Sequence, residues 1–200
     1  MITTIIFDIG NVLVDFNWKE YIASFGFSKE VQEKLAKATM LSREWDEFDR
    51  GVLEIEDIIQ KFVKNDSTVE KEIRIICQNV HDMLGRRDYA IPWIQDLKKK
   101  GYGVYYLSNF SRKAEVECAH TLDFLPYMDG GILSYQEKVI KPEPEIYQIL
   151  IDRYHLIPDQ CVFMDDKPEN CEGARKAGMH TIVFTTKEEA EKELCKLGVK

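Results

Sequence analysis

The chain has 200 residues, 44% of them hydrophobic, which is enough for one large domain or for a core domain carrying a smaller insertion. Its formal net charge is −8 with acidic and basic residues interleaved, so no basic stripe offers itself to a phosphate backbone and nucleic acid is not an expected partner. No apolar segment approaches membrane-spanning length, the N-terminal run is too short for a signal sequence, and Cys77, Cys118, Cys161, Cys171 and Cys195 form no C-x-x-C pair; a cytoplasmic protein with reduced thiols is expected, with no zinc site and no disulfide framework.

The first predicted element is the strand TTIIFD (3–8), an apolar run that stops on a carboxylate. An ionised carboxylate buried at the end of a central strand is costly unless a cation or hydrogen-bond donors meet it, so Asp8 calls for partners elsewhere in the chain. A long interval then separates this strand from the next, far more than a crossover helix needs, which predicts an inserted unit over residues 17–87. Within it SKEVQEKLAKATML (28–41) reads as an amphipathic helix, and LEIEDIIQKFV (53–63) sets Ile55, Ile58, Ile59, Phe62 and Val63 at helical spacing. STVEKEIRIICQNVHDMLG (67–85) combines a Ser67/Glu70 capping box with Val69, Ile73, Ile76, Val80 and Leu84. These stripes predict the core of a small helical bundle.

Beyond the insert, a helix over PWIQDLKKKG (92–101) has lysines in its last turn and Gly101 just past it. The strands GVYYLSN (103–109) and GGILS (130–134) follow, then a helix over PEIYQILIDRY (144–154) opened by Pro144, then the strands CVFMDD (161–166) and HTIVF (180–184). This alternation predicts an α/β fold, a parallel sheet with helices on both faces, whose core would comprise residues 1–16 and 88–200.

Four polar clusters fall at or just beyond the carboxyl ends of predicted strands, where open α/β sheets bind ligands: Asp8, Ser108 with Asn109, Lys141, and Asp165 with Asp166. Singly, each reads as well as a turn, a helix cap or a solvated charge. Together they have a common chemistry. Three carboxylates brought to one rim need a cation, and hard oxygen ligands select Mg²⁺. Asp8 could attack phosphorus to give an aspartyl-phosphate, Lys141 could neutralise Asp8 and a phosphate oxygen, and Ser108 and Asn109 could donate to the remaining oxygens.

The segments FDIGNVLVDF, YYLSN, IKPEPEIY and VFMDDKPENCEGARKAGM, in this order and spanning almost the whole chain, resemble motifs one to four of the haloacid dehalogenase superfamily. The resemblance implies a Rossmann-like three-layer α/β/α sandwich with an inserted helical lid, the C1 cap. It implies Asp8 as nucleophile and metal ligand, the Gly10 carbonyl and Asp166 as further ligands of Mg²⁺, with Asp165 a weaker candidate, Ser108 and Asn109 as phosphate-binding residues, and Lys141 as the cation that steadies the charge.

One position departs from the pattern. Most phosphatases of the superfamily carry a second Asp two residues after the nucleophile as general acid/base, and here that residue is Gly10. The FDIGNV form is similar to a subgroup that includes bacterial α-D-glucose-1-phosphate phosphatase. Without that acid, good leaving groups should be favoured, which points to a sugar 1-phosphate. The expected function is a Mg²⁺-dependent phosphatase acting on a small phosphorylated metabolite, as monomer or homodimer. The alternatives are a 2-haloacid dehalogenase, against which the Asp165-Asp166 pair argues, and a catalytically silent binding module, suggested only by Gly10. His81, His120, His155 and His180 sit in no ligand spacing and receive no role. Arg43, Trp45, Phe48 and Arg50 lie in the insert, where they could line a substrate pocket or serve bundle packing and surface charge.

Overall fold

A computed structural model describes residues 1–200. In chain order the elements are β1 (Thr4–Phe7), β2 (Val14–Phe16), α1 (Trp18–Ser24), α2 (Lys29–Ala38), α3 (Arg43–Arg50), α4 (Ile55–Asn65), α5 (Glu70–Gln78), β3 (Leu84–Arg86), α6 (Ala90–Lys99), β4 (Gly103–Ser108), α7 (Arg112–Glu117), β5 (Gly130–Leu133), α8 (Ser134–Glu137), α9 (Pro144–Tyr154), β6 (Cys161–Asp165), α10 (Pro168–Lys176), β7 (His180–Val183) and α11 (Lys187–Lys196). No helix is long and apolar enough to cross a membrane.

Five strands form one sheet in the order β5-β4-β1-β6-β7, every pair parallel. The central strands are apolar on both faces because both are covered. Ile5 and Phe7 pack with Trp93, Leu97 and Leu194 on one side, while Ile6 packs with Tyr147, Leu150 and Phe163 on the other. That alternation makes three layers, with α6 and α11 against one face and α9 and α10 against the other. The register pairs Phe7 with both Tyr106 and Met164, so the residues that follow, Asp8, Leu107 and Asp165, come level at the carboxyl edge.

The segment between β2 and β3 builds a separate apolar cluster that includes Ile22, Leu35, Ile58, Phe62, Ile73 and Ile76. Burying each such side chain contributes about 1.5–3 kcal/mol, so the bundle has an apolar core of its own, to which Cys118 of the host adds one residue. Its chain enters and leaves through a two-stranded antiparallel ribbon in which Val14 pairs with Arg86 and Phe16 with Leu84.

The helix expected over 67–85 is shorter than the apolar pattern suggested. The Tyr21 hydroxyl donates to Ile76 O at 2.6 Å, and the Val80 N–H that would have bonded that carbonyl donates instead to Glu117 Oε2 at 2.7 Å. The helical ladder therefore ends at Gln78, Asn79 turns extended, and Leu84 opens β3. At the other end the cap is Asp66 rather than Ser67: its Oδ1 accepts Thr68 N at 2.9 Å and starts a single 3₁₀ turn before α5. Ile55, expected on the buried stripe of α4, is exposed in its first turn.

Candidate active site

Asp8 follows β1 directly, and its N–H still bonds Met164 O at 2.8 Å, which seats it on the sheet edge. The chain then winds tightly: the N–H groups of Leu13 and Val14 both donate to Ile9 O, and Asn11 adopts a left-handed conformation with φ 56°. Asn is among the few residues that tolerate it. The turn puts the Asn11 amide 2.9 Å from Asp166 Oδ2.

The buried carboxylate at the end of β1 has its partners. Asp8 Oδ1 accepts from Ile9 N at 2.7 Å, from Ser108 Oγ at 2.7 Å and from Lys141 Nζ at 2.9 Å. Lys141 also reaches Asp165 Oδ2 at 2.6 Å, and its side chain is 1% exposed. One ammonium thus faces two buried carboxylates. Burial lifts the Asp8 carboxyl to about 6, with Asp165 adding to the rise and Lys141 and Ser108 opposing it. Burial pulls the Lys141 ammonium down, but Asp165 and Asp8 outweigh it and hold it above its ordinary value.

The sequence-predicted residues converge, though not all in the expected way. Asp8, Gly10, Ser108, Asn109, Lys141 and Asp166 line one cavity of about 340 Å³ at the sheet edge, together with Trp45 and Phe48 of the insert. Asn109 spends its side chain on Lys141: Oδ1 accepts Lys141 N at 2.7 Å and Nδ2 donates to Lys141 O at 3.0 Å. Of the two arginines, Arg50 turns away to grip Glu143 and Arg43 is exposed.

Oxygens of Asp8, Asp165 and Asp166 lie within 4.8 Å of one another, an all-oxygen donor set that fits Mg²⁺. The three are not equally free. Asp165, fully buried, receives Lys141 Nζ, Lys167 N at 2.8 Å and the Asn170 amide at 3.1 and 3.0 Å, so both oxygens are engaged. Asp166 accepts only from Asn11 and is partly exposed. The arrangement makes Asp165 the anchor of Lys141, and leaves Asp166 with Asp8 as the carboxylates best placed for a cation.

A profile of the haloacid dehalogenase-like hydrolases matches residues 2–178. The chain belongs to that family. Among relatives of this hydrolase, the phosphorylated carbohydrates phosphatase of Thermotoga maritima is 26% identical over 186 residues, 89% of this chain and 82% of that protein. The D-ribitol-5-phosphate phosphatase of Bacteroides thetaiotaomicron is 27% identical over 195 residues, 91% of each chain. Several other relatives are longer proteins, of which the chain spans 18%, 19% and 36% of the length. A crystal structure of a family enzyme from Bacteroides thetaiotaomicron, in complex with magnesium and inorganic phosphate, superposes with a TM-score of 0.69 at 22% identity, covering 94% of this chain and 96% of that one, which shows a common fold.

Sequence reasoning missed several residues of the hydrolase's cavity. Asn11 and Asn170 support Asp166 and Asp165 from one loop and one helix, and an asparagine carries no signal of its own beyond a cap or a turn. Lys167 and Asp49 also line the cavity. Asp49 reaches it only because the end of α3 docks on the sheet edge, through Ser134 Oγ donating to Asp49 O at 2.6 Å.

Proposed function

We propose that the protein is a Mg²⁺-dependent phosphatase that hydrolyses a small phosphorylated metabolite through an aspartyl-phosphate on Asp8. The observation that carries this reading is the Asp8–Lys141–Asp165 chain, a carboxylate nucleophile held against one buried ammonium. Asp8 is aimed by Ser108 and Ile9 N–H so that the oxygen not engaged with them can attack phosphorus. Lys141 holds positive charge at the point where a phosphate dianion meets that carboxylate. Mg²⁺, held by Asp8, the Gly10 carbonyl and Asp166 with Asp165 behind, would supply the charge that offsets their repulsion. Lys141 would bind a phosphoryl oxygen, as would the Asn109 amide through the Nδ2 hydrogen not given to Lys141 O, while Ser108, whose hydroxyl donates to Asp8, would border them.

A sugar phosphate is the substrate class supported by the relatives that act on phosphorylated carbohydrates and on D-ribitol 5-phosphate. Ser42 and Asp46 of the insert line the same cavity and can bond hydroxyls. A second substrate reading has an observation of its own: Phe16, Trp18, Met40, Leu41, Trp45 and Phe48 form an apolar wall over the site, which suits an ester whose leaving group is aromatic or aliphatic. Five unpaired cysteines support a reducing, cytoplasmic setting.

Purified protein incubated with sugar phosphates, aryl and alkyl phosphates and 2-chloropropionate, with and without Mg²⁺, tests the reading. Phosphate release that requires Mg²⁺ is expected. Chloride release in excess chelator would replace the phosphatase by a dehalogenase, and no turnover of any compound would leave the silent binding module.

A further inference from the structure

Resting on the phosphatase reading, we propose that Asp49, carried by the helical insert, gives its proton to the leaving oxygen and then takes one from the hydrolytic water. This is work for which position 10 holds no carboxyl. An alkoxide leaves badly without a proton, and general acid catalysis is worth about 10²–10⁴ in rate. At Gly10 an added Cβ would meet nothing within 4 Å, so the place beside Asp8 is open space.

The cavity offers few other proton donors. Lys141 is locked between two carboxylates, and Asp8 and Asp166 are committed to attack and to the cation. The Cys118 thiol, pushed up to about 11 by burial, is turned to Val80 O. Asp46 is exposed. The Asp49 carboxyl is half-buried, lines the cavity with Asp8 and Lys141, and forms no ion pair or hydrogen bond with the protein.

Its position is fixed by the sheet edge as well as by the bundle. Asp49 O accepts from Ser134 Oγ, and the next residue, Arg50, makes a two-pronged bond to Glu143 at 2.8 and 2.7 Å. Gly51 ends α3 with φ 69° and lies so close to Tyr135 that a Cβ would come within 2.7 Å of its Cβ. The Lys138 ammonium also bonds Gly51 O. Glu143 stands two residues after Lys141, so the acid is referenced to the same segment that holds the ammonium.

Burial pushes the Asp49 carboxyl up to about 7, and the charges of Asp46 and Asp8 add to the rise; Lys167 at the start of α10 and Lys141 oppose it. Near neutral pH both forms are populated, as an acid that must become a base requires. The steps balance. Asp8 forms a bond to phosphorus as the phosphorus–oxygen ester bond breaks, and the Asp49 proton goes to the departing oxygen to give the alcohol. The Asp49 carboxylate then accepts a proton from water as that water's oxygen bonds phosphorus, and the acyl-phosphate bond breaks to free Asp8 and phosphate.

The test is Asp49→Asn, assayed in single turnover with an alkyl phosphate and a graded series of aryl phosphates up to 2,4-dinitrophenyl phosphate, with Asp8→Asn alongside. The wild-type rate should depend weakly on leaving-group acidity. In Asp49→Asn the dependence should become steep, with a loss of about 10²–10⁴ on the alkyl ester that shrinks as the phenol becomes more acidic. In multiple turnover with dinitrophenyl phosphate the variant should release a burst of about one phenolate per site and then stall, because the second step lacks its base. Gly10→Asp in the Asp49→Asn background should restore alkyl-ester turnover. An equal loss across the series, or none on the alkyl ester, overturns the proposal while the phosphatase reading stands. Activity surviving in Asp8→Asn overturns the reading itself.

Discussion

The Asn109 side chain grips the Lys141 backbone in both directions, accepting its N–H at 2.7 Å and donating to its C=O at 3.0 Å. The amide therefore fixes where the ammonium stands without touching it. Asn109→Ala should lower kcat by about 10²-fold, the scale of a small misplacement of a catalytic group, with a smaller change in KM. Steady-state kinetics with one good substrate measures the split, and a rise in KM alone would show that Asn109 only holds substrate.

Asp165 and Asp166 should part company under substitution. Asp165→Ala strips the buried Lys141 of one of its two counter-charges, at a cost of about 3–5 kcal/mol, and should lower the melting temperature sharply. Asp166→Ala should melt near wild type and need far more Mg²⁺ for activity; Ca²⁺, with its larger and looser shell, should inhibit the wild type. Thermal melts in chelator beside a Mg²⁺ titration of activity separate the two. Equal Mg²⁺ requirements in both variants would count against Asp166 as the ligand.

Asp8→Asn keeps the shape of the side chain, and its oxygen can still accept from Ser108 and Ile9 N–H. The variant should fold and melt cooperatively yet release no detectable phosphate from an aryl phosphate. Near-normal turnover would rule out an aspartyl-phosphate.

Asp49 should leave a signature in stability as well as in rate. Its carboxyl titrates at about 7 in the fold and at about 3.9 in the unfolded chain, so between those pH values the folded state binds a proton that the unfolded state lacks. Stability from this group is present in full below about pH 4 and declines as pH rises towards 7. Asp49→Asn removes the penalty, so it should be the more stable protein at pH 8 and lose that advantage at pH 4.5. Melts of chelator-treated protein at both values check this; an advantage independent of pH would place the effect in packing.

The sheet was readable because its strands are buried on both faces and end on polar residues, so each appears as an apolar run with a punctuating Asp or Ser. Asp8 stood out for the same reason, as a costly charge at a strand end, whereas Lys141, eight residues past β5, and Asp166, partly exposed, stood out only as members of a set. What escaped depends on contacts distant in sequence. The end of α5 is set by Tyr21 and Glu117, and the strands β2 and β3 have three residues each, too few to show a period. Asp49 looked like any surface charge in REWDEFDR, since only the docking of α3 on Ser134 and Glu143 carries it to the cavity.

The ribbon of β2 and β3 brings the start and the end of the helical insert side by side, with Asn17 N–H bonded to Met83 O at 2.9 Å. A unit joined to its host at one such stem is a cassette: evolution or an engineer can exchange it without re-threading the sheet. If the insert carried only substrate contacts, such an exchange would alter selectivity and leave the reaction alone. Here the stem also delivers Asp49, so a graft from a relative whose acid sits beside its own nucleophile would arrive without a proton donor, and Gly10 would have to change in the same step.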